Sequence, residues 1–137
     1  ILGNAWTTLY TVGRIIETVG GKTYVFVDGG MADNIRPALY QAQYEAAILG
    51  DMNAIPDKEV TLAGKFCESG DVLIDKVKLA NPKVGDLVGI TTTGAYCYSM
   101  SSNYNRFAKP AVVFVKDGKS KVVVKRETLD DLIRNDL

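Results

Sequence analysis

Histidine is absent from these 137 residues, and with it goes the usual base for a serine or cysteine nucleophile and the commonest transition-metal ligand. A cysteine hydrolase is therefore a distant reading. Only 2 cysteines occur, Cys67 and Cys97, which is no disulfide framework and not the spacing of a zinc knuckle. A reducing, cytoplasmic setting is the simpler expectation. Excess charge is missing too: 16 basic residues balance 16 acidic ones, so there is no electrostatic footprint for nucleic acid or an anionic membrane surface. The longest apolar runs, such as residues 111–115, fall far short of the ~20 residues a membrane helix needs. No basic region precedes an apolar stretch at the N-terminus. The 4 prolines are scattered, and neither an internal repeat nor a linker is visible.

What is present reads as β structure. The length suits one compact domain over residues 1–137 and is too short for a barrel plus a second domain. Residues 4–18 are rich in Thr, Val, Ile and aromatics, which fit a pleated surface. The Gly20-Gly21 pair then predicts a hairpin to residues 22–28. Further strands are expected at 44–49, 59–62, 71–78 and 87–92, with Asp51-Met52-Asn53 and Asn81-Pro82 as punctuation. Asp117-Gly118 predicts a second hairpin, between 111–115 and 121–124. Thr128 and Asp131 resemble a helix-capping pair, and Leu129, Leu132 and Ile133 share one helical face, so a short terminal helix docking on the sheet is expected. The expected fold is mainly β: an antiparallel barrel or sandwich with short helical segments.

Three clusters carry chemistry: Arg36-Pro37-Ala38-Leu39-Tyr40, Cys67-Glu68-Ser69-Gly70-Asp71, and Gly94-Ala95-Tyr96. They put a guanidinium, a thiol, a carboxylate and two phenols into connections between strands, where functional groups are commonly held. Each has a bland counterpart. A lone cysteine is most often a small buried apolar residue, a glutamate a surface charge, and a buried tyrosine one satisfied by a backbone carbonyl. The polar run after Cys67 argues against a dry core at that point, because every group in it needs a partner. If residues 36–40 are helical, Arg36 and Tyr40 share a face. The glycine pair of Asp28-Gly29-Gly30 lacks a Walker lysine and the dinucleotide spacing, and reads as the turn that presents Arg36.

Together these words resemble the C-terminal domain of the diaminopimelate decarboxylases, pyridoxal phosphate enzymes of the alanine racemase and ornithine decarboxylase type. The resemblance runs over nearly the whole chain, and Ile1-Leu2-Gly3-Asn4-Ala5 is similar to the stretch just after the family's (β/α)8 barrel. It implies that most of the pyridoxal 5'-phosphate site lies on that barrel domain. The chain alone would then neither hold the cofactor tightly nor turn over substrate. It further implies a homodimer in which Cys67 reaches the opposite subunit's site and protonates the substrate carbon after carbon dioxide leaves. A thiol suits this task, since its reference pKa of roughly 8.5 keeps most of it protonated near neutrality. By the same resemblance Glu68 pairs with the distal ammonium of meso-diaminopimelate, Arg36 and Tyr40 take its distal carboxylate, and Tyr96 contacts cofactor phosphate and substrate. A planar guanidinium binds a carboxylate by two parallel charge-assisted bonds. Ser102-Asn103-Tyr104-Asn105 is a family signature with a structural role. Cys97 departs from the pattern, which carries glycine there.

Two competitors stay open. One is a sibling decarboxylase of ornithine, arginine or carboxynorspermidine, against which Arg36 and Glu68 argue. The other is a β-barrel binding module without catalysis.

Overall fold

The structure, a computed structural model, describes residues 2–50 and 53–137. Ile1, and Asp51 and Met52 of the expected punctuation Asp51-Met52-Asn53, lie outside the described residues. The chain forms β1 (Thr7–Glu17), β2 (Thr23–Val27), α1 (Arg36–Tyr40), β3 (Ala46–Leu49), β4 (Lys58–Ala63), β5 (Val72–Leu79), β6 (Leu87–Thr91), β7 (Val112–Lys116), β8 (Lys119–Val124) and α2 (Leu129–Ile133), with short 3-10 turns at Gly3–Ala5 and Tyr104–Arg106. Six strands make one curled sheet in the order β3-β6-β1-β2-β4-β5, and β7 and β8 make a separate ribbon. The fold is mainly β, as the sequence predicts. Among the described residues no helix is long and apolar enough to cross a membrane.

β1 is long because it serves two partners. Its first half, Thr7 to Thr11, pairs with β6, and its second half, Val12 to Glu17, pairs with β2. The register shifts between Val12 and Arg14, at Gly13. A bulge of this kind bends a strand and turns the corner of a barrel-like sheet. Along β2 the side chains of Thr23, Val25 and Val27 are buried while Tyr24 and Phe26 are half-buried, the period-two alternation of a pleated strand. The buried face joins Tyr10, Val12, Val60, Leu62, Leu73, Ile74, Leu79, Val88 and Ile90 in one core.

The β1–β2 turn uses its glycine pair unequally: only Gly21 has a left-handed backbone, with φ 78°, while Thr18 N–H donates to the Lys22 carbonyl across the turn. The β7–β8 hairpin turns on Asp117 and Gly118, both at positive φ, as a two-residue turn matching strand twist requires.

Two expectations change. β2 and β4 pair parallel, so the sheet is not wholly antiparallel; the long excursion from residue 28 to 57 carries the chain back to the starting end of β2. The terminal helix forms with a full capping box between Thr128 and Asp131. It does not dock on the sheet, for Leu129 is 77% and Ile133 53% exposed. The tail is held instead by polar ties, Arg106 to Asp136 and Glu127 to Asn103 and the Lys109 N–H.

Candidate functional site

Three connections converge at one end of the sheet. The first follows β2: the Asp33 carboxylate accepts the Gly30 N–H at 3.0 Å, and Asn34 Oδ1 accepts the Arg36 N–H at 3.2 Å. These side-chain bonds cap the turn and start α1, with Pro37 in its first turn and Gln41 closing it in the left-handed region at φ 54°. The glycines thus present Arg36, as the sequence predicts.

The second connection, residues 64–71, joins β4 to β5 and carries Cys67 and Glu68. Both are exposed. Glu68 Oε1 accepts the Gly70 N–H at 3.1 Å and the Ser69 hydroxyl at 3.3 Å, which folds the loop around its own carboxylate. At its end Asp71 is only 4% exposed. One carboxylate oxygen accepts the Phe66 N–H at 2.8 Å within the loop, and the other the Met31 N–H at 2.7 Å across to the first connection. Asp71 therefore ties the thiol-bearing loop to the turn that delivers Arg36. Gly30 and Gly64 make room for it, because a Cβ on either would collide with the carboxylate. Burial pushes the Asp71 carboxyl above its ordinary pKa against the pull of the two N–H groups, and burial does the same to Asp33.

The third connection follows β6. Gly94 N–H donates to the Gly3 carbonyl, and a Cβ at Gly94 would strike the Leu2 carbonyl oxygen. That close approach seats the turn on the start of the chain. Tyr96 sits in the left-handed region with φ 70°, sparsely populated for a bulky side chain. Its carbonyl accepts the Met100 N–H at 2.9 Å and the Ser99 hydroxyl at 3.1 Å. The ring is thrown outward, 67% exposed, and the Arg36 guanidinium lies 5.7 Å from its centre. Arg36 Nη1 donates to the Tyr44 hydroxyl at 3.2 Å, and that hydroxyl is 3.4 Å from the buried Cys97 sulfur. Burial and the thiol push the Tyr44 phenol up, while Arg36 pulls it down.

Of the residues singled out from sequence, Arg36 and Tyr96 are brought into contact. Tyr40 lies on the same helical turn as Arg36, 62% exposed, and Cys67 and Glu68 stand on the neighbouring loop. Sequence reasoning did not find Tyr44, Cys97 as its partner, or Asp71 as the tie between loops. A clue to Asp71 was available, since a carboxylate at the mouth of a strand beside glycines has room to accept backbone N–H groups. Tyr44 carried no such signal, being one aromatic residue of a predicted strand. Ser102-Asn103-Tyr104-Asn105 braces the site from beneath: Ser102 N–H donates to the Ala32 carbonyl, and Tyr104 and Phe107 pack their rings against Phe66 of the thiol loop.

Chemically the cluster offers a guanidinium, an exposed thiol in Cys67, an exposed carboxylate and two exposed phenols. It can bind a carboxylate and an ammonium and give up a proton. For a carbonyl cofactor with a phosphate, the outward Tyr96 phenol is a hydrogen-bond donor of a kind that fits such a phosphate.

A family model described as the C-terminal sheet domain of pyridoxal-dependent decarboxylases matches residues 4–94. The chain is 56% identical over its whole length to diaminopimelate decarboxylase of Bacillus subtilis, but spans only 31% of that protein. A solved diaminopimelate decarboxylase from M. jannaschii, in complex with L-lysine, superposes with a TM-score of 0.91 at 35% identity, over 98% of this chain and 30% of the other. A lysine/ornithine decarboxylase of Vibrio vulnificus with bound putrescine gives a weaker likeness, a TM-score of 0.66 at 25% identity over 79% of this chain and 29% of the other.

Proposed function

Since the chain belongs to the pyridoxal-dependent decarboxylases as their C-terminal sheet domain, we propose that it is that domain of a cytoplasmic diaminopimelate decarboxylase, converting meso-2,6-diaminopimelate to L-lysine and carbon dioxide. The observation that carries this reading is the Arg36 guanidinium stacked on Tyr96 with Nη1 alone bonded to another described residue. Nη2 and Nε are left for a carboxylate, and diaminopimelate differs from ornithine and lysine in keeping a carboxylate at its far end when the reacting one departs. The higher identity and fuller overlap with diaminopimelate decarboxylases than with the lysine/ornithine enzyme support the same choice.

Bound pyridoxal phosphate supplies the electron sink that lets the reacting carboxylate leave. This chain's residues do the rest of the work assigned here. Arg36 and Tyr40 hold the distal carboxylate, one by paired N–H donors and the other by its hydroxyl. Glu68 pairs with the distal ammonium; its Oε1 is already engaged by Gly70 and Ser69, so Oε2 faces the ligand. Tyr96 donates to the phosphate while its ring supports Arg36. Cys67 gives its thiol proton to the carbon that has lost carbon dioxide, in the site of the second subunit of a homodimer. Holding the far end fixes which stereocentre is presented for reaction.

The test is lysine and carbon dioxide release from meso-diaminopimelate, with added pyridoxal phosphate, by the polypeptide of the reading frame that carries this chain. Stoichiometric lysine is the expected result. Release from ornithine or arginine instead would transfer the assignment to a sibling enzyme, and no turnover by a folded, cofactor-loaded protein would sink it.

A further inference from the structure

Arginine carries five donors and no acceptor, so the 3.2 Å contact of Arg36 Nη1 with Tyr44 is an N–H donating to the phenol oxygen. The phenol proton of Tyr44 is then free for Cys97 Sγ at 3.4 Å. The thiol in turn donates to the Ala95 carbonyl at 3.8 Å. Tyr44 and Cys97 each accept one hydrogen bond and donate one, and the relay ends on the residue before Tyr96. Because the Tyr96 ring also lies 5.7 Å from the Arg36 guanidinium, the contacts close a circuit: Arg36, Tyr44, Cys97, Ala95, Tyr96 and back to Arg36. Cys97 is only 3% exposed, and Tyr44 and Ala95 are half-buried.

We propose that Tyr44, backed by Cys97, is a positioning residue that pins the Arg36 guanidinium on the Tyr96 ring with one edge left open for the substrate's distal carboxylate. The inference rests on the role given to Arg36 above. An arginine side chain has several free torsions, and ordering it only when the ligand arrives weakens binding. The circuit orders it beforehand. It also joins the turn after β6 to α1, so that clamp and phosphate-facing phenol keep one geometry.

The experiment uses the full polypeptide of the reading frame and compares wild type with Tyr44→Phe, which keeps the ring and removes the hydroxyl. KM for meso-diaminopimelate should rise by roughly tenfold with kcat within about twofold, as loss of an interaction made equally in ground and transition states requires. Binding of L-lysine, which carries the distal carboxylate, should weaken by a similar factor, while binding of cadaverine, which lacks it, should not change. Cys97→Ala should shift KM the same way but less, and adding it to Tyr44→Phe should do no further harm, since the relay is already cut. An unchanged KM, an equal loss for cadaverine, or additive effects would overturn the proposal. In protein labelled with 15N-arginine, the Arg36 resonance should lose its Tyr96 ring-current shift in Tyr44→Phe. This signal needs no turnover, so the pin is tested even if diaminopimelate proves the wrong substrate; an unmoved resonance would overturn it.

Discussion

A thiol can serve as an acid toward a substrate only if the substrate reaches it, and Cys67 meets that condition while Cys97 does not: the first is exposed, the second buried. Their sequence surroundings differ in the same sense. Glu68, Ser69 and Gly70 keep the first in solvent, whereas Cys97 follows a left-handed Tyr96 that turns its own ring outward. The division of labour gives a prediction for Cys67. Replacing it with Ala should lower kcat for diaminopimelate by roughly a hundredfold, a typical contribution of a positioned acid, with KM within about threefold. In deuterated water the slow variant should also show a larger solvent isotope effect, because proton delivery has become limiting. Unchanged turnover without a proton-transfer defect would remove Cys67 from the reaction.

Among elements, the one that assembles the site is neither strand nor helix but a carboxylate. Asp71 joins the loop of residues 64–71 to the turn before α1 through the N–H groups of Phe66 and Met31. Replacing it with Ala leaves the buried Phe66 N–H and the part-buried Met31 N–H without their acceptor, at a cost of about 1–3 kcal/mol for the buried donor and less for the other. Its titration has a definite sign. Burial raises its folded-state pKa above the unfolded value of roughly 3.9, so the folded protein binds the proton more tightly. The stabilisation from that proton is complete below the unfolded pKa and is lost as pH rises through the raised folded value. Across this acidic window the thermal midpoint of wild type should therefore fall relative to Asp71→Asn, which does not titrate there. A gap that instead widened in favour of wild type with rising pH would contradict the assignment. Strands were legible from sequence because residues 4–18 are rich in Thr, Val, Ile and aromatics, which fit a pleated surface, and because the turn pairs Gly20-Gly21 and Asp117-Gly118 admit few backbones. The parallel β2–β4 pair and the Asp71 tie were not, since both join segments about 40 residues apart that no local pattern couples. The helix of Leu129 and Ile133 was read correctly as a helix and wrongly as docked: an apolar face shows what could be buried, not what lies opposite.

At the scale of the molecule the site is open. β3 and β5 are the outermost strands of the curled six-stranded sheet and come near each other, while Cys67, Glu68, Tyr40 and Tyr96 are all exposed to solvent. A cluster of this kind suits a face that completes a cavity formed elsewhere. The proposed arrangement is that this face meets the barrel domain of a second subunit, so that every active centre draws its barrel-borne cofactor site from one chain and Cys67 from the other. Subunit exchange can decide it. Mix a Cys67→Ala protein, slowed about a hundredfold as a homodimer, with a protein whose barrel-domain cofactor site has been disabled by substitution and which is inactive as a homodimer. If the centres are shared, a heterodimer regains one intact centre of two, and with half of all dimers mixed the activity returns to about a quarter of wild type. If Cys67 serves its own subunit, both centres of every heterodimer stay defective and nothing returns. Recovery that grows at the rate of subunit exchange, measured by size or fluorescence transfer, would tie the regained activity to the interface.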